Sequence, residues 1–380
     1  MFDWVPLHNY TYYFDLAILI LIMLVLWQCR VGSALKKDVA NLNATWGFIF
    51  AVVLILYMGL RPVDSQFGDT VNYATEFKLI QEGKERWGFG NEWLFSFLFH
   101  WFAQHSNIHS FFLLCSVLYI GSLWLAMQRM FKEYYYIPFL IILSMFTFWS
   151  YGVNGIRNGV GASFFILALS YANNIPLMCL WAFIGTGFHT SVFLMIGAGI
   201  LSWFLNNSYI YLAVWIASIG ASYVAGNTIQ SFLSNLPFFG FDDRFQDYLT
   251  QETDEANMVY VSGAFRWDFI AYSSLGTLIG YYFIFYRNFK DEYYHWIYNI
   301  YLITNSFWVL VIRAAFSNRF VQISWFILPV VLIYPFMKKR FWDNHEKYLA
   351  YAILLFYAYT FYDRFIRTGE LQYFFNFNWI

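Results

Sequence analysis

The side chains best suited to chemistry in this sequence are arginines at the ends of apolar runs. If Lys36, Lys37, Lys132, Lys290, Lys338 and Lys339 lie on the cytoplasmic side, as the positive-inside rule directs, the arginines separate from them. Arg61, Arg86, Arg157, Arg244, Arg266, Arg313, Arg319, Arg364 and Arg367 then fall outside, and Arg30, Arg129, Arg287 and Arg340 inside. Lysine and arginine count alike for insertion, so this division points to a task that a point charge does not perform. A planar guanidinium grips phosphate oxygens at two points and stays charged at every accessible pH. The alternative for each arginine is a loop carboxylate partner or a place in the headgroup layer. Arg157 is the most informative, because it sits in Gly155-Ile156-Arg157-Asn158-Gly159-Val160-Gly161-Ala162. Small residues four apart let helices approach closely, and an arginine near a membrane-buried helix start is costly unless it faces a wet or charged space.

Proton acceptors are fewer. His189, in Gly187-Phe188-His189-Thr190-Ser191, can accept a proton or donate a hydrogen bond to an anion. Neighbouring arginines would disfavour its charged form, which favours the donor role. Asp69 is the second candidate base, with helix capping as its alternative, and Asp64 can serve the same turn. Asp268, two residues from Arg266, is placed to orient it. His105 and His109 are four apart, but Asn107 between them reads as a turn and not as a metal-binding helix face. The acidic run Asp242, Asp243, Asp247, Glu252, Asp254 and Glu255 reads as a solvated loop or lid. Its aromatics Phe238, Phe239, Phe241, Phe245 and Tyr248 are suited to stacking on sugars. Cys29, Cys115 and Cys179 lie far apart in apolar runs, which excludes a disulfide framework. No metal site and no cofactor is expected.

These residues must be positioned by membrane-spanning elements. The chain of 380 residues is 60% hydrophobic, 24% aromatic and only 12% charged, far outside the make-up of soluble domains. Tryptophan and tyrosine suit the headgroup layer, and the net charge of −1 gives no reason to expect a nucleic-acid partner. Apolar runs long enough to span lie near 13–29, 45–60, 108–128, 135–151, 156–172, 209–225, 267–286, 294–312, 318–337 and 348–362. Residues 93–105 predict a short helix that re-enters, and 176–205 predicts two short helices meeting at a tip near His189. A full crossing by 93–105 would invert the middle of the chain. The N-terminus lacks the basic start of a cleaved signal peptide, so the first span is expected to be retained. The expected fold is all-α: a polytopic integral membrane helical bundle of about 10–13 transmembrane or re-entrant helices. With no repeat or linker, residues 1–380 form one expected membrane domain, with outer loops at about 61–92 and 226–266.

Four segments together resemble the EpsG family, a branch of the Wzy-type polymerases of bacterial capsule, exopolysaccharide and O-antigen. They are Arg61 with Asp69-Thr70-Val71-Asn72-Tyr73-Ala74-Thr75-Glu76-Phe77; Gly155-Ile156-Arg157-Asn158-Gly159; Gly187-Phe188-His189-Thr190-Ser191; and Phe265-Arg266-Trp267-Asp268-Phe269. Ser317-Asn318-Arg319-Phe320 is a looser fifth match, and Asn158 stands where the family usually has Gln. The resemblance covers residues 60–320 and implies a GT-C-like glycosyltransferase architecture in the bacterial cytoplasmic membrane, with its site facing the periplasm or cell exterior. It implies donor and acceptor oligosaccharides carried on undecaprenyl pyrophosphate, and a chain-length regulator as a possible partner. On that reading Arg157, Arg266 and Arg319 clamp the pyrophosphate, Arg61 and Arg313 are next in line, and His189 or Asp69 takes the proton. A glycan ligase would use the same donor with another acceptor, and a flippase would need charges along a path through the bilayer.

Overall fold

The computed structural model describes residues 4–84, 91–234, 265–314 and 318–368, with no side-chain description at 234, 318 and 319. Among these residues every regular element is helical. Among the described residues six helices are long and apolar enough to cross a membrane: Leu7–Arg30, Lys37–Gly59, Ile108–Tyr134, Ser208–Leu233, Trp267–Tyr286 and Phe320–Lys338. The protein is a polytopic membrane protein. The acidic run at 242–255 and its aromatics, together with Arg86 and Arg244, lie outside the described residues, as does the side chain of Arg319.

The helices group into two compact units, each discontinuous in sequence. The first comprises residues 1–88, 94–181 and 336–380. It holds α1 (Tyr10–Arg30), α2 (Lys37–Gly59), α3 (Thr70–Gln81), α4 (Trp93–His105, from residue 94) and α5 (Ile108–Phe131). It also holds α6 (Tyr136–Leu143), α7 (Phe148–Val153) and α8 (Ile156–Leu169). Its centre is α5, which packs against both α2 and α8, while α1 packs against α6. The close approaches use glycine. A Cβ on Gly59 would stand 2.6 Å from the Leu113 backbone, and one on Gly159 would stand 2.4 Å from the Tyr151 carbonyl oxygen.

The predicted span at 135–151 is broken, because the helix stops at Leu143 and resumes at Phe148. Unwound carbonyls inside a membrane need partners. Thr360 Oγ1 donates to Ser144 O at 2.9 Å, and the Arg364 guanidinium donates to Phe146 O. Arg364 also stands 3.8 Å from the Asp15 carboxylate, and Arg367 pairs with Asp363 at 2.6 Å. Arg364 and Arg367 are therefore engaged by the protein itself.

The second unit comprises residues 89–93 and 182–335. The run 176–205 is divided as predicted into α9 (Ile175–Phe188) and α10 (Val192–Phe204), separated at His189–Ser191; α9 itself crosses from the first unit to the second. α11 (Ser208–Ser234) continues past the predicted end at 225 through a kink at Ala225. Then come α12 (Trp267–Tyr281), α13 (Glu292–Leu310), α14 (Asn318–Trp325) and α15 (Leu328–Lys338), which from Phe336 belongs to the first unit; α16 (His345–Phe361) also belongs to the first unit and packs against α1. α13 is the hub of the second unit, packing on α10, α11, α12 and α14. Its buried Asn305 ties three of these helices together. Trp215 Nε1 donates to Asn305 Oδ1 at 2.7 Å, and Asn305 Nδ2 donates to Ser273 Oγ at 3.1 Å and Ser324 Oγ at 2.9 Å. A polar side chain in this setting is tolerated because each of its groups has a partner.

Candidate active site

In the first unit, two matched segments that are far apart in sequence come together. α2 ends at Gly59, and Arg61 turns back into the protein, fully buried. Its guanidinium donates to Met58 O (2.8 Å), Thr70 Oγ1 (3.2 Å) and Val153 O (3.1 Å), and lies 4.3 Å from the Phe112 ring centroid. Burial pulls it down to about 10, so it stays a cation at neutral pH. Arg61 thus fastens the end of α2 to the end of α7. Replacing it with Met is expected to lower folding stability by about 3 kcal/mol, because Val153 and Met58 carbonyls lose a charged donor in a dry setting. The measurement is the fraction of detergent-solubilised protein that stays monodisperse on heating, which should fall before any question of activity arises.

The turn after Arg61 brings Asp69 to the second segment. Asp64 accepts from the Gln66 backbone N–H at 2.8 Å and so caps the short turn Ser65–Phe67. Gly68 has φ +62°, and a Cβ there would lie 2.4 Å from the Asn154 side chain, so only glycine permits this approach. The Asp69 N–H donates to Asn154 Oδ1 at 2.9 Å, and Thr70 Oγ1 lies 3.2 Å from Val153 O. Asp69 stands at the N-cap of α3, yet its carboxylate does not cap that helix; Asn72 Nδ2 donates to it at 3.1 Å. Three residues beyond Asn154, Arg157 is the second residue of α8. It is half-buried, with its guanidinium carbon 5.7 Å from the Phe95 ring centroid. Gly155 and Gly159 give the sequence motif its physical meaning: both lie against Tyr151 of α7, which folds α7 back on the start of α8. Asn158 is buried beside them.

In the second unit, the break between α9 and α10 presents His189. Its Nδ1 receives the Ser191 backbone N–H at 3.1 Å and lies 2.8 Å from Ser191 Oγ. A backbone N–H can only donate, so in the neutral ring the proton sits on Nε2. Nε2 faces Glu92 Oε1 at 3.6 Å, and the Glu92 side chain is fully buried. Glu92 has no place among the residues singled out from sequence. Its signal there is slight: a carboxylate one residue before the short apolar helix 93–105.

The same unit carries Arg266 and Arg313. Arg266 forms a two-point pair with Asp268, Nε to Oδ1 at 2.9 Å and Nη2 to Oδ2 at 2.7 Å, and stacks 3.6 Å from the Phe269 centroid. Arg313 enters at the kink of α11. Its Nη2 donates to Tyr223 O at 3.4 Å, its Nε lies 3.0 Å from where a Cβ on Gly226 would be, and that Nε is buried with no hydrogen-bond partner among the described residues. A side chain inserted beside the backbone accounts for the kink at Ala225. Between the two arginines, Tyr223, Phe265 and Trp267 form a cluster with ring centroids 4.6 to 5.9 Å apart. Tyr223 and Trp267 are exposed. His105, by contrast, donates from Nδ1 to Trp101 O at 2.8 Å and stacks on Trp101, which is the behaviour of a helix-end histidine.

The fold and these sites define a multi-pass helical membrane protein with arginines and carboxylates gathered at helix ends. The model of the EpsG family matches residues 44–379, nearly the whole chain, and the protein belongs to that family. EpsG is a Wzy-like family of polysaccharide polymerases. No curated protein and no solved structure matches the chain.

Proposed function

We propose that this protein is a polysaccharide polymerase that transfers a growing glycan from undecaprenyl pyrophosphate to a lipid-linked repeat unit at the outer face of the bacterial cytoplasmic membrane. The observation that carries the reading is the hydrogen bond from the Asp69 backbone N–H to Asn154, which brings the Asp69 turn to the residue three before Arg157 from separate family-like segments. In the reaction the acceptor hydroxyl oxygen attacks the anomeric carbon. The bond from that carbon to the pyrophosphate oxygen breaks, and its electron pair leaves on the pyrophosphate. The leaving group needs no proton, so the protein must stabilise developing negative charge and take the hydroxyl proton.

Arg157 and Arg313 are assigned to the pyrophosphate, Arg313 because its side chain is only partly buried and makes a single long hydrogen bond, to Tyr223 O, among the described residues. Arg266 joins them with Asp268 as the group that orients it. Arg319 keeps its place in this set on the resemblance alone. Arg61 is left out, since its side chain is fully buried and its two Nη groups donate to Met58, Thr70 and Val153. Asp69 is the preferred base, and Asp64 is left as a turn cap. The Tyr223, Phe265 and Trp267 rings are suited to stacking on sugar faces.

The test is to give purified protein one synthetic lipid-linked repeat unit and resolve the products. A ladder is expected; a single transfer to another acceptor would make the protein a ligase and overturn the reading. Because the charge stabilisation is assigned to arginines, the ladder is expected to persist in excess EDTA. Loss of product that magnesium or manganese restores would return attention to the acidic residues at 242–255. Labelling of single cysteines at positions 157, 189 and 266 from the outside only is the expected result for the assigned orientation. The same preparation, with a chain-length regulator added, reads out whether product length shifts.

A further inference from the structure

The first unit holds a second concentration of charge that the polymerase reading does not use. Where α2 begins and α15 ends, Lys36, Lys338, Lys339 and Arg340 line a cavity of about 490 Å³, together with Tyr134 and one carboxylate, Glu346. The cations arrive from two stretches about 300 residues apart in sequence, the α1–α2 turn and the α15–α16 connection. Glu346 does not offset them fully, for one of its oxygens is committed to the Ala34 backbone N–H at 2.8 Å. His345 adds no free donor either, since Nε2 lies 2.9 Å from Phe336 O and Nδ1 receives the Phe341 N–H at 3.3 Å, holding the connection in its curve.

Helix dipoles explain only part of this arrangement. Lys338 ends α15, where a cation is favourable, and it also donates to Met130 O at 2.8 Å. Lys36 stands at the N-cap of α2, where a cation is unfavourable, and Arg340 lies beyond the helix, with one Nη donating to Asp343 O at 3.2 Å. Four cations facing one partly committed carboxylate around a concave space repel one another unless an anion joins them. Basic pockets between spanning helices on the lysine-rich side are suited to phosphate headgroups. Tyr134 at the rim matches the headgroup layer.

We propose that this cavity binds a phosphate-ester anion, supplied by the headgroup of an anionic phospholipid. The lipid is preferred as the source because the cavity sits at the ends of membrane-spanning helices. The site is independent of the transfer reaction, so either reading can fail without the other. The experiment uses the full chain in mild detergent and measures binding of dioleoyl phosphatidylglycerol and dioleoyl phosphatidylcholine by native mass spectrometry. Wild-type protein is expected to hold phosphatidylglycerol at least tenfold more tightly than phosphatidylcholine. The double variant Lys36→Gln/Arg340→Gln should lose about thirtyfold in phosphatidylglycerol affinity, from about 1 kcal/mol per basic group near a surface. A control, Lys132→Gln/Lys347→Gln, removes as much charge without touching the cavity and should bind as wild type does. Competition by millimolar inorganic phosphate in wild type only would support the same anion site with free phosphate as its source. Equal affinity for the two lipids, an unaffected double variant, or an equal loss in the control would each overturn the proposal.

Discussion

Arg157→Lys is expected to cut polymer formation by about a hundredfold while leaving expression, membrane insertion and thermal stability near those of the wild type. The size follows from removing one preorganised donor to developing charge, a loss of roughly 3 kcal/mol of transition-state stabilisation. The substitution keeps the positive charge and a long aliphatic stem, so any effect through bilayer positioning or simple electrostatics is preserved. What disappears is the planar fork. The local fold gives no reason for collapse: Gly155 and Gly159 seat α8 against Tyr151, and the arginine itself is half-buried near Phe95. Single-turnover transfer from a lipid-linked donor is the measurement. A lysine variant that builds polymer of ordinary length at the ordinary rate would remove Arg157 from the pyrophosphate set.

The contrast between Arg157 and Arg61 shows what a sequence of this kind discloses. Both stand out as arginines ending or opening apolar runs, and both lie in segments that resemble one family. Only the fold separates them. Arg61 meets Val153, and that contact depends on α7 turning back at Gly155, which no pattern near residue 61 announces. The spans were legible because a membrane demands about 20 apolar residues whatever the tertiary contacts. The short helices 93–105 and 176–205 were legible for the same reason, being too short or too long for one crossing. The break at Ser144–Thr147 was not, since it is stabilised by Thr360 and Arg364, more than 200 residues away, and the run itself is continuous and apolar. Arg364 and Arg367 likewise read as anion-binding candidates by face alone, whereas Asp15, Phe146 and Asp363 engage them. Glu92 was hidden in a stretch that reads as loop, and its burial beside His189 is purely a product of the fold.

That pair carries the last prediction. A neutral His189 whose Nδ1 accepts has Nε2 as its donor, and the group that Nε2 faces at 3.6 Å is the buried Glu92 carboxylate. With Nδ1 occupied by the Ser191 N–H, the ring is fixed in one orientation by partners on both sides. Glu92→Gln keeps the size and hydrogen-bonding capacity of the side chain and removes its charge, so the fold should survive while transfer falls about tenfold or more. His189→Gln, whose amide can still donate toward Glu92, is expected to retain clearly more transfer than His189→Ala. The decisive measurement is the double-mutant cycle. If Glu92 acts by positioning His189, Glu92→Gln costs much less in a His189→Gln background than in the wild type, giving a coupling of about 1 kcal/mol or more, as contacting residues in one network show. A merely structural carboxylate would lower stability in both backgrounds and leave the rate per folded molecule unchanged. Independent losses that simply multiply would separate the two residues, return His189 to a role at the α9–α10 break, and leave Asp69 as the sole candidate for the proton.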